Sequence, residues 1–77
     1  MNLEQYIQHY KNELTKTDRS VNAMPRDMNH AISYVNAMEY ERKRHETNLR
    51  ALFPELSAAE ASRIIVNAGR EWVNEQK

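Results

Sequence analysis

A chain of 77 residues has room for one domain, 1–77, whose single core leaves little net stability. Cysteine is absent, and the three histidines, His9, His30 and His45, never stand three or four residues apart, so disulfides are excluded and a metal site is not expected. Eleven basic and eleven acidic residues cancel, which removes any net field that would steer the chain to nucleic acid or a membrane.

Of the usual staples for a small fold, association with a second copy is the one left, so a homo-oligomer is expected. No apolar run approaches the roughly 20 residues of a membrane span. Residues 1–16 lack the basic start and apolar centre of a secretory signal, so a cytoplasmic location is expected. Glycine occurs once, at Gly69, and proline twice, at Pro25 and Pro54. Hairpins and phosphate-cradling loops need several glycines at positive φ, so nearly all β architectures are excluded together with P-loop and Rossmann nucleotide sites.

The first helix is expected over roughly 2–16, with Leu3, Tyr6, Ile7, Tyr10 and Leu14 on one face. Thr17 to Met24 breaks that pattern and reads as a connection. Pro25 suits the first turn of a second helix, and Asp27 adds negative charge at the positive end of its dipole. The stripe of this helix runs Met28, Ala31, Ile32, Val35, Met38 and resumes at Leu49, Leu52 and Phe53 before Pro54. Continuous helix over 25–53 would be about 43 Å long, whereas a compact domain of this size is about 30 Å across. The second helix must therefore bend or overhang, and an overhang invites cover from another chain.

Ser57 and Glu60 have the spacing of a capping box, which starts a third helix running from Ala58 to about Glu75. Its inner stripe is Ala61, Ile64, Ile65, Ala68 and Trp72, and Val66 and Val73 form a second ridge beside it. The fold class expected is all-α, a small three-helix bundle with a long central helix that kinks near Tyr40 if its stripe stays in the core.

No constellation reads as catalytic. Ser57 is a cap, and Glu41 with His45 is the spacing of an ordinary helix ion pair. No enzyme activity and no cofactor are expected. The dense run from Glu39 to Glu46 largely neutralises itself through acid-before-base pairs. Arg42 and His45, however, project within the apolar stripe between Met38 and Leu49, and Tyr40 points away from it. These three are candidate partner contacts. Arg63, Asn67, Arg70 and Asn74 align on one face of the third helix, a donor-rich stripe suited to acidic protein surfaces, phosphates or base edges.

The expected function is therefore a non-catalytic protein–protein interaction module, such as a small regulator or inhibitor of a larger complex. The alternative is a dimeric DNA-binding regulator using the third helix, which neutral charge and the flanking Glu60 and Glu71 disfavour. A structural subunit whose function is self-association ranks third.

Overall fold

The computed structural model describes residues 1–25 and 27–76. It contains three helices that all pack against one another, α1 (Leu3–Asn22), α2 (Met28–Leu52) and α3 (Ala58–Glu75). Each begins at a side-chain cap. Asn2 and Gln5 form a capping box for α1, in which the Gln5 N–H donates to Asn2 Oδ1 at 2.8 Å and the Asn2 N–H to Gln5 Oε1 at 2.9 Å. Ser57 and Glu60 do the same for α3, as the spacing predicts. At α2 the Asp27 carboxylate accepts the Asn29 N–H at 2.9 Å. That cap moves the start of α2 past Pro25, which stands outside the helix rather than in its first turn.

The first helix also runs further than the pattern predicts, continuing through Thr17 to Asn22. No glycine or proline interrupts it there, and two tertiary contacts hold it. Val21 is buried, and Asp18 accepts the Tyr34 hydroxyl at 2.8 Å. Packing overrides the modest helix propensity of Thr, Asp, Ser and Val.

The pairings Tyr6–His45 and Asp18–Tyr34 make α1 and α2 antiparallel. Those of Lys11 with Glu71 and Thr15 with Trp72 set α3 beside α1 in the same direction, an up-down-up bundle. The core is Tyr6, Tyr10 and Leu14 of α1, Leu49 of α2, and Ala61, Ile65, Ala68 and Trp72 of α3. Both outer helices thus bury the stripes their sequences show. Trp72 also donates its indole N–H to Thr15 Oγ1 at 3.0 Å, which satisfies its polar atom inside the core.

Of the two forms its length allows, the second helix takes the overhanging one. It is one helix from Met28 to Leu52, and the N-terminal part of its stripe is outside the core: Met28, Ile32 and Val35 are 92%, 61% and 64% exposed. The cause is length. With 18 residues against 25, α3 falls short of α2 by about 10 Å of helix rise. It ends near Thr15 of α1 and Val35 of α2, where Val73 and Val35 line one hollow. Beyond that point the last turns of α1 and the first turns of α2 form a two-helix overhang. The molecule is accordingly long, 43 × 21 × 17 Å, with a radius of gyration of 13.3 Å.

Candidate interaction surfaces

On α3, Arg63, Asn67, Arg70 and Asn74 are all exposed along one face, opposite Ala61, Ile65 and Ala68. The two acids beside this stripe are engaged within the chain. Glu60 closes the helix cap, and the hydrogen bonds from Ser57 hold its carboxyl below the usual range. Glu71 and Glu75 both accept from the Lys11 ammonium at 2.9 Å. Those hydrogen bonds, Glu75 first and then Glu71, push the Lys11 pKa up and keep it charged, although the residue is buried. Among the described residues, no ion pair engages Arg63 or Arg70.

The structure separates the three candidates on α2. Tyr40 is exposed on its own. Arg42 is half-buried and held by its neighbours, donating to Glu39 and, at 2.6 Å, to Glu46. His45 is 1% exposed and belongs to the interior, so it offers no surface to a partner. The stripe does turn inward at this point without a break in the helix, and a histidine rather than an aliphatic residue fills the position. The sequence shows His45 on the apolar face, but the aromatic residues that receive it come from α1. The Tyr10 ring lies 4.8 Å away, centroid to centroid, and the Tyr6 hydroxyl sits 2.7 Å from Nδ1.

Either neutral tautomer of His45 satisfies both ring nitrogens. With the proton on Nδ1, the ring donates to the Tyr6 oxygen and Nε2 accepts from Arg44 at 3.3 Å. With the proton on Nε2, Tyr6 donates to Nδ1 and Nε2–H faces Glu41 at 3.3 Å. A protonated ring would stand against the Arg44 guanidinium in a buried site. Burial first, and Arg44 next, lower its pKa. His9 comes within 5.6 Å of the same ring, centroid to centroid, a pairing across two helices that spacing alone does not reveal. Among the described residues no three His, Asp or Glu side chains gather as a metal-ligand set, and no helix is long and apolar enough to cross a membrane.

Two hollows run along the seam of α2 and α3. One of about 320 Å³ lies between Val35, Met38 and Arg42 on one side and Gly69 and Val73 on the other. The next, of about 490 Å³, reaches Val66, Arg70 and Asn74, so the donor-rich stripe borders an apolar seam. Compared with protein-family models, curated proteins and solved structures, the chain matches none of them, so the reading of these surfaces rests on its own residues.

Proposed function

We propose that this chain is a non-catalytic protein-binding module of the cytoplasm that docks its α3 stripe on an acidic surface of a larger protein, acting as a small regulator or inhibitor of that partner's complex. The observation that carries this reading is the disposition of charge on α3. Arg63 and Arg70 face solvent, while Glu60 is used in the cap and Glu71 is drawn toward Lys11. Guanidinium groups offer planar pairs of donors that match carboxylates, and asparagines between them add neutral hydrogen bonds. The apolar seam beside Arg70 supplies the desolvated centre that a protein interface needs.

The test is Arg63→Ala combined with Arg70→Ala. Both side chains are exposed, so the thermal melt should stay within about 4 °C of the parent's, as small surface changes in a domain of this size do. Capture of the partner from the native host, quantified by mass spectrometry, should fall about tenfold or more, since arginines dominate such contacts. Undiminished capture would return the stripe to solvent. Binding to mixed-sequence DNA that weakens steeply with salt would instead support the DNA-binding alternative.

A further inference from the structure

We infer that the two-helix overhang is the contact surface for a second copy of this chain, with the exposed ridges of α2 packed antiparallel about a two-fold axis near Val35. This surface includes no residue of the α3 stripe, although the two adjoin at Gly69 and Val73, and four observations converge on it.

The first is composition. From Met28 to Met38 there is no Asp, Glu, Lys or Arg, although 29% of the whole chain is charged and this stretch of helix is largely exposed. A solvated helix face in such a chain would carry charges. Depletion of charge around Met, Ile, Val and Tyr is what the centre of a protein interface shows. The second is shape. The Val35 ridge has a hollow on either side, one of about 320 Å³ toward α3 and one of about 350 Å³ toward α1. An interface between identical copies must be self-complementary, so it needs ridge and hollow on the same patch.

The third is area. The chain exposes 5466 Å², roughly 570 Å² more than the about 4,900 Å² of a compact monomer of its 9.1 kDa mass. That excess is most of the roughly 800 Å² each partner contributes to an interface of standard size. The fourth is charge register. In an antiparallel pair centred on Val35, Ile32 meets Met38 of the other copy. The rim residues Glu39 and Arg42 then lie opposite Ala31 and Met28, so neither of these two charges meets a like charge. A foreign partner would need a matching charge-free ridge of its own, which this chain already has.

The absence of cysteine makes the test clean, because an introduced thiol can cross-link only between copies. Val35→Cys should form a disulfide-linked dimer readily under mild oxidation, while Asn12→Cys, exposed on α1, should associate as the parent does but remain without a disulfide cross-link. Sedimentation equilibrium of the parent should give twice the 9.1 kDa chain mass. Ile32→Glu with Val35→Glu should restore the single-chain mass without loss of helical circular dichroism. Met28→Lys, at the most exposed point of the ridge, should weaken association in the same direction even if the double variant folds poorly. A parent that stays at single-chain mass across concentrations overturns the inference, as does a glutamate double variant that remains dimeric. The Arg63→Ala, Arg70→Ala variant must still dimerise. Loss of its dimer would place the self-contact on α3 and overturn this assignment, whereas loss of partner capture from an intact dimer bears on the function alone.

Discussion

His45 occupies a place in the core where an aliphatic side chain would be ordinary, and its cost is a dependence on pH. The folded protein holds the ring neutral through burial and the Arg44 guanidinium, so its pKa lies below the ordinary value of about 6.5 that it regains on unfolding. Below that pH the unfolded chain binds a proton that the folded chain resists. The stability contributed by the neutral ring is therefore fully present above about pH 6.5 and declines as pH falls through it. The melting temperature should be level near neutrality and drop on acidification toward about pH 5.5. His45→Gln, which keeps an acceptor for Tyr6, should flatten that drop, and His9→Gln should retain most of it. Trp72 is the other residue on which the fold leans. Trp72→Ala should cost about 3–5 kcal/mol, against a total of about 5–15 kcal/mol for ordinary domains. Loss of the cooperative melt by circular dichroism is the expected outcome.

At the scale of the helices, α1 and α2 depend on each other past the end of α3. Their contact there rests on Val21 and on the Tyr34 hydroxyl donating to Asp18; burial first, and that bond next, push the tyrosine pKa up to about 12. Tyr34→Phe should therefore lower stability by about 1 kcal/mol and increase hydrogen exchange selectively in 17–22 and 28–34. Gly69 behaves differently. It lies inside α3 without a positive φ, and a Cβ placed on it would meet only the Tyr10 hydroxyl oxygen at 3.8 Å, an ordinary contact. Gly69→Ala should stabilise the protein by about 0.5–1 kcal/mol, because alanine loses less backbone entropy in a helix. A denaturant titration reads this as a higher midpoint with an unchanged slope. The glycine is therefore not required by the internal packing of one chain.

The whole molecule is two regions along one axis. Three helices enclose a core where α3 is present, and two helices continue where it is not. Glu71 and Glu75 in the C-terminal turns of α3 are tied to Lys11, so the region that ends the three-helix core is also where α1 and α3 are clamped. The partners of that ammonium are more than half exposed, and Lys11→Ala should cost only about 1 kcal/mol in spite of two short bonds. Added salt should narrow the difference between parent and variant melts, which separates screening from lost packing.

Three helices, the Ser57 cap, the inner faces of α1 and α3 and the place of Trp72 were legible in the sequence, because periodicity and capping are local properties of a helix. The Asn2 and Gln5 pair at the start of α1 was equally available, with the same spacing as Ser57 and Glu60. The last turns of α1 were not, since they are held by Tyr34 and by the burial of Val21, which lie beyond local propensity. The division of α2 was hidden for a related reason. Its periodicity shows that Met28, Ile32, Val35, Met38, His45 and Leu49 share one side, but not how far along that side a neighbouring helix extends. That depends on where α3 ends against α2, a matter of relative length and register in three dimensions. Tertiary structure therefore put His45 inside and left Met28, Ile32 and Val35 outside.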